Sequence, residues 1–301
     1  MAPTRRPMGH DALLGALDAY FEALGAHDPG RLTVTEGARF TENGQELTLG
    51  RGLWATATGV PSPRAVTVAD VAQQQVAGWG LVEEAGEEQV LALRLQLGHD
   101  GPLREAETLV VRPADLGRPG QRFPDALRAP TPSFHDVLEP AERVSREELV
   151  RAANGYLDGV ARNDADLLSV ADDCVRIENG RQTVLNASAE GFSKESPLYE
   201  GLGLTVAAQI RRGDFVYIEA IRDRIVAAID EDRGMVLVRC VFDHPGRVQA
   251  AAHRSPFPTP NSMMVFECFK IVGGLIRHVE AVGTKLPYGM APGWSPRPAS
   301  S

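Results

Sequence analysis

Apolar residues recur at helical spacing twice in this chain, and strand-like runs follow each time. Leu13, Leu17, Tyr20 and Leu24 fall at i, i+4, i+7 and i+11, and Leu149, Ala153, Tyr156 and Val160 repeat the stripe. An amphipathic helix therefore opens each half. Asp11 is read as the N-cap of the first, and Ser145-Arg-Glu-Glu148 has the capping-box spacing for the second. Asp28-Pro29 and Asn163-Asp164 mark the ends, because a residue before proline is pushed out of the helical region. Strands are predicted at Ala65–Gly80, Val90–Leu97 and Leu103–Arg112, then at Phe215–Ile229, Met235–Phe242, Met263–Val272 and Leu275–Val282. Gly273-Gly274 between two apolar runs signals a hairpin. A helix followed by consecutive antiparallel strands is an α+β order, not the alternation of a parallel sheet.

The two patterns are copies of one another. At an offset of 136, residues 13–44 and 149–180 share nine identities in 32 ungapped positions, among them Tyr20/Tyr156 and the run Glu42-Asn-Gly44/Glu178-Asn-Gly180. At an offset of 173, Gly101–Glu107 falls on Gly274–Glu280, keeping Arg104/Arg277 and Glu107/Glu280. The second copy thus holds about 37 extra residues between the anchors. So long a period with two copies predicts duplicated globular domains, not a solenoid. The boundaries read as 10–112 for the first domain, 113–144 for a stiff proline-rich linker, 145–285 for the second, and 286–301 for a proline-rich tail expected to pack on a domain surface or a pocket mouth.

Composition changes this picture little. With 301 residues, 43% hydrophobic and 24% charged, each half can bury a core. A formal charge of −9 disfavours a nucleic-acid partner. No apolar leader and no apolar stretch of about 18 residues is seen, so a membrane partner is not expected and the location is read as cytoplasmic. Cys174, Cys240 and Cys268 lack the spacing of a disulfide framework or zinc site. Motifs for metal, dinucleotide, P-loop and serine-hydrolase chemistry are missing, so no metal and no cofactor is expected.

The helix with Tyr20, the Arg39-Phe-Thr-Glu-Asn-Gly44 turn, Gly50-Arg-Gly-Leu-Trp54 and the late strands resemble the nuclear-transport-factor-2-like superfamily, in its SnoaL-like branch. The likeness covers both halves. The resemblance implies two cone-shaped α+β barrel domains, each with helices packed on a curved antiparallel sheet around an apolar cavity. Such cavities serve cofactor-free isomerisation, cyclisation, dehydration and related chemistry in some members, and plain binding in others.

Strict alternation along the last strand puts His278 and Glu280 on one face with Ile276 and Val282. An ionisable pair among apolar neighbours suits a general acid or base. His278 is expected to move the proton and Glu280 or Asp223 to orient it, with Tyr217 and Arg239 stabilising oxyanion charge. Tyr199, His244, Phe266, Tyr288 and Trp294 are the candidates for substrate contact. His244 and His253 bracket a long loop that reads as a lid or an interface element. The expected function is a cofactor-independent lyase or isomerase acting on a small, hydrophobic, oxygenated molecule, aromatic or polycyclic. The competing reading is a non-catalytic ligand-binding or scaffold protein. Because only the second copy carries the histidine, the active pocket is expected there, with the halves packed as an intramolecular pseudo-dimer open to further homo-oligomerisation.

Overall fold

A computed structural model of the chain describes residues 7–61, 63–116, 123, 125–246 and 256–294. His253 and parts of the expected linker and tail lie outside them. The first unit runs α1 (His10–Gly25), β1 (Val34–Glu42), β2 (Gln45–Glu46), α2 (Leu53–Thr56), β3 (Ala57–Gly59), β4 (Val66–Asp70), β5 (Gln75–Glu84), β6 (Glu87–Leu97) and β7 (Leu103–Val111). A connecting segment with the short helix α3 (Pro132–His135) leads to the second unit. That unit holds α4 (Arg146–Arg162), β8 (Val170–Glu178), β9 (Arg181–Gln182), α5 (Val206–Arg212), β10 (Ala220–Asp230), β11 (Met235–His244), β12 (Asn261–Val272) and β13 (Leu275–Leu286).

Each unit is a helix laid on a mixed sheet, the α+β arrangement that the resemblance implies. The strand orders are β2-β1-β7-β6-β5-β3, with β4 also on β5, and β10-β11-β12-β13-β8-β9. Two expectations are corrected. The sheets are not purely antiparallel, because β1 lies parallel to β7 and β8 parallel to β13. Neither sheet closes into a barrel, since the end strands of each path do not pair with one another. Local boundaries also move. Ala65–Gly80 is a hairpin, not one strand: the Asp70 carboxylate accepts from the Gln73 amide at 3.0 Å and Gln74 takes φ 52°, closing a turn. Residues 215–219 precede β10 as irregular chain. The first helix is capped by Gly9, not Asp11, whereas the capping box Ser145/Glu148 forms as read.

The repeat is visible in the hydrogen bonds. Thr41 pairs with Glu107, and their counterparts at the two offsets, Ile177 and Glu280, pair likewise. The Glu-Asn-Gly run makes a turn with two positive-φ residues in each unit, Asn43 47° and Gly44 79°, Asn179 47° and Gly180 77°. Each asparagine amide then bridges a residue of the last strand. Asn43 Oδ1 accepts from the Val110 amide at 2.8 Å, and Asn179 Oδ1 from the Gly283 amide at 3.0 Å. The identities that carry the repeat therefore hold the parallel strand in place.

Three apolar layers result. α1 covers one face of the first sheet through Leu13, Leu17, Tyr20 and Leu24, and α4 covers one face of the second through Leu149, Ala153, Tyr156 and Leu157. The opposite faces pack on each other, with Val66, Trp79 and Leu109 meeting Ala227, Leu237, Phe266 and Val282. Phe134 of the connecting segment, fully buried, joins this middle layer. The contact is reciprocal at its rim: Asp70 takes Arg146 at the start of α4, and Asp230 takes His10 at the start of α1, Nε2–Oδ2 3.1 Å.

Charge is also buried between the sheets. Glu107 receives Arg239 at 2.7 Å and Arg94 at 3.0 Å, and all three are almost wholly buried. The C-terminal segment straps both units: the Gly289 amide donates to Ser262 Oγ at 2.9 Å, and Trp294 Nε1 donates to Thr41 Oγ1 at 2.9 Å. Arg39 and Arg94 lie over the Trp294 ring at 4.5 and 4.7 Å. Removing one member of a buried ion pair strands the other. Glu107→Leu is expected to cost about 3–5 kcal/mol, read as a lower urea midpoint, and adding Arg239→Met should recover much of that loss. A double variant as unstable as the sum of the singles contradicts the coupling.

Candidate functional site

A cavity of about 120 Å³ opens between α4 and the covered face of the second sheet. Its wall alternates as strands require. β8 contributes Arg176 and Glu178, β12 contributes Met263, Val265 and Glu267, and β13 contributes Ala281 and Gly283. Tyr156 and Val160 come from α4, Phe215, Tyr217 and Ile218 from the irregular stretch before β10, and Phe242, His244 and Phe257 from the mouth. Glu267 pairs with Ala281 and Ala281 with Glu178, so two carboxyl groups flank a methyl group along one row of the sheet. Two inter-strand steps place their Cα atoms about 10 Å apart.

Arg176 is buried and fully engaged. It donates from Nε to Thr183 Oγ1 at 2.9 Å, from Nη1 to the Tyr156 hydroxyl at 3.3 Å and from Nη2 to Gln209 Oε1 at 2.7 Å, and it ion-pairs with Glu178 at 2.9 Å. Burial works against its charge, but Tyr156 and Glu178 more than offset this and hold its pKa up.

Glu267 is different. It is 4% exposed, and its Oε2 accepts no hydrogen bond among the described residues. Burial, with Glu178 adding, pushes its carboxyl up to about 8 against the pull of Arg176 and Arg224. It is thus a proton carrier at neutral pH. Burial lowers His244 to about 4 although its Asn261 contact at 3.3 Å opposes this, leaving a neutral ring between Tyr217 at 5.7 Å and Phe257 at 4.2 Å. Burial likewise raises the Tyr156 and Tyr217 hydroxyls.

Of the residues expected from the sequence, the structure brings Tyr217 and His244 to this cavity. The others lie elsewhere. His278 and Glu280 face the inter-unit layer, where Nε2–Oε1 is 3.4 Å, Ser133 Oγ meets His278 Nδ1 at 3.1 Å, and Thr131 donates to Glu280. The cause is a bulge at the start of β13. Lys270 pairs with His278 and Ile271 with Ile276, so Arg277 is an extra residue and the alternation inverts after Ile276. Arg239 and Phe266 sit in the same inter-unit layer. Asp223 is at an exposed bulge of β10, paired with Arg222. Tyr199 is half-buried away from the cavity lining. Tyr288, 46% exposed, donates to Glu219, and Trp294 packs on the first unit.

Sequence reasoning missed Tyr156, Arg176, Glu178 and Glu267 as a site. Tyr156 and Glu178 stood among the repeated identities, and Arg176 was visible as the replacement for Phe40. The register of β6 on β7 and β12 on β13 makes Leu93 the counterpart of Glu267. In the first unit the same place is filled. Trp54, 1% exposed, donates from Nε1 to the Tyr20 hydroxyl at 2.9 Å, and Glu42 Oε2 accepts from the Leu53 amide at 2.8 Å.

The family described as "Domain of unknown function (DUF8021)" matches residues 142–283, the unit with the cavity. Among curated protein sequences none matches the chain. Solved structures similar to it include an LEH-like epoxide hydrolase from M. tuberculosis, 16% identical with a TM-score of 0.29, covering 46% of this chain and 83% of that one. An NTF2-like protein from Cytophaga hutchinsonii is 17% identical with a TM-score of 0.28, covering 48% and 99%. A protein of unknown function with a cystatin-like fold from Methylobium petroleophilum is 14% identical with a TM-score of 0.30, covering 53% and 84%.

A carboxyl group that is harder to ionise folded than unfolded costs stability once pH passes its unfolded value, here from about 4.5 up to 8. Glu267→Gln is therefore expected to stabilise the fold by on the order of 3 kcal/mol at pH 7 and by nothing at pH 4. Urea denaturation of both proteins across this range checks it; an advantage independent of pH contradicts the burial of an ionisable Glu267.

Proposed function

We propose that the second unit, residues 145–285, is a cofactor-independent acid/base catalyst, a lyase or isomerase of a small oxygenated ring compound. The observation that carries this reading is Glu267, a buried carboxyl lining the cavity with one oxygen that has no hydrogen-bond partner among the described residues and a pKa raised to about 8. Such a group gives a proton to a developing oxyanion or takes one from carbon at little cost. Arg176, held by Tyr156 and Glu178, supplies fixed positive potential beside it. Tyr217 offers a hydroxyl, and the neutral His244 ring with Phe242 and Phe257 forms an apolar mouth. A volume of about 120 Å³ suits one six-membered ring better than a polycyclic system, since a cavity of about 150 Å³ holds benzene.

On this reading the first unit, residues 10–112, is a duplicate that keeps the fold while Trp54, Phe40 and Leu93 fill its site. The pair then acts as an intramolecular dimer. The carrier reading draws on the apolar share of the lining, Val160, Phe215, Ile218, Met263 and Val265; a carrier has no reason to keep an ionisable carboxyl at the substrate's edge.

Mass spectrometry of molecules co-purified with the full chain identifies the substrate class. With that substrate, Glu267→Gln is expected to lower turnover by about two to four orders of magnitude. Steps that need the acid form should slow as pH rises through about 8. Near-normal turnover in the variant removes Glu267 from the mechanism.

A further inference from the structure

At the mouth of the cavity the two units match position for position, yet one ion pair of the first unit is missing from the second. Unbroken pairing of β5 on β6 and of β11 on β12 makes Glu84 the counterpart of His244. Pairing of β6 on β7 and of β12 on β13 makes Val111 the counterpart of Thr284, so the next residues, Arg112 and Lys285, also correspond. A cation thus stands at this corner of both sheets. In the first unit it is satisfied from within: Arg112 donates from Nε to Glu84 Oε2 at 2.6 Å and from Nη2 to Glu84 Oε1 at 3.0 Å, the two-pronged match of guanidinium and carboxylate. In the second unit a neutral imidazole has replaced that carboxylate. Lys285 is exposed and has no ion pair among the described residues. It still belongs to the cavity, because it follows the lining residues Ala281 and Gly283 on one face of β13, and its Nζ lies 5.5 Å from the centre of the Phe257 ring. Deeper in, the charges cancel: Arg176 pairs with Glu178 at 2.9 Å, and Glu267, raised to about 8, is mostly protonated at pH 7.

We propose that Lys285 anchors a carboxylate of the substrate, in the place that the Glu84 carboxylate holds in the first unit, and that the cavity therefore takes a single ring bearing a short chain that ends in a carboxylate. The proposal rests on the acid/base reading of Glu267 and adds the chemical class of its substrate. Charge supports it, since an anion entering a chain of formal charge −9 needs a local cation to meet it. Strand geometry sets the length. Glu267 pairs with Ala281, so a ring over the Ala281 methyl lies beside the reactive carboxyl. Lys285 is four residues further on, about 13 Å along the strand. The lysine stem covers part of that distance, and a chain of about two to four carbons, at about 1.5 Å per bond, covers the rest. The ring is then held at the depth where Glu267 can reach it, and the charged end stays at the mouth, where it remains partly hydrated.

Isothermal titration calorimetry of the full chain at low salt, with 3-phenylpropanoate and with its uncharged analogue 3-phenylpropan-1-ol, tests this. The carboxylate is expected to bind about tenfold more tightly or better, and its advantage to shrink as salt is raised. Lys285→Gln, a change at an exposed side chain, should erase the advantage and leave the affinity for the alcohol unchanged. Lys285→Arg should keep it. Equal affinities for the two ligands, an advantage that survives Lys285→Gln, or no binding of either ligand overturns the proposal. None of these results touches the acid/base reading, which fails separately if Glu267→Gln leaves turnover of the co-purified substrate unchanged.

Discussion

Over the buried part of each sheet one face is covered by a helix and the other by the opposing sheet, and the placement of the buried charged groups follows from that. A strand offers alternate side chains to two sides, so a charged residue in a doubly covered sheet must find a partner or line a cavity. On the inter-sheet side Arg94, Glu107 and Arg239 find one another, and His278 and Glu280 find Ser133 and Thr131 of the connecting segment. On the helix side Arg176 is saturated by Glu178, Tyr156, Thr183 and Gln209. Glu267 retains an oxygen without a hydrogen-bond partner among the described residues. Residues that look equally suited to chemistry in the sequence are sorted into structure and site by the side of the sheet on which they fall.

That sorting explains how much was legible beforehand. The helix stripes, the repeat and the α+β order could be read because they depend on local periodicity and on identities at fixed offsets. The Glu-Asn-Gly run could be located but not interpreted, since the asparagine's partners on the last strand lie 67 residues on in the first unit and 104 in the second. His278 and Glu280 fall on the inter-sheet side and not on the helix side. One extra residue, Arg277, inverts the faces of β13, and no hydrophobic pattern announces it: Ile276, Val279 and Val282 fit either phase until the pairing with β12 is known. Glu267 stood in an apolar run, Met263–Val272, where a buried carboxyl has no local signature. Its contrast with Leu93 depends on an alignment of strands that only the register supplies.

The two units also show what the extra residues of the second copy do. In the first, α2 follows β2 closely and drives Trp54 into the space under α1, where Glu42 caps the helix through the Leu53 amide. In the second, the chain between β9 and α5 takes another route and Gln209 of α5 approaches Arg176. Glu178 is thereby released from the capping duty of its counterpart and placed at the cavity instead. The longer connection, which costs little loop entropy, thus goes with a polar pocket in the second unit where the first packs a tryptophan.

The central claim is that Glu267 keeps its proton near neutral pH because the fold has taken it out of water beside another carboxylate. Carboxyl-carbon NMR of the full chain, with Glu267→Gln used to assign the resonance, reads this directly. A titration midpoint near 8 is the predicted result; a midpoint near 4.5, the ordinary glutamate value, would show a solvated side chain and contradict the account.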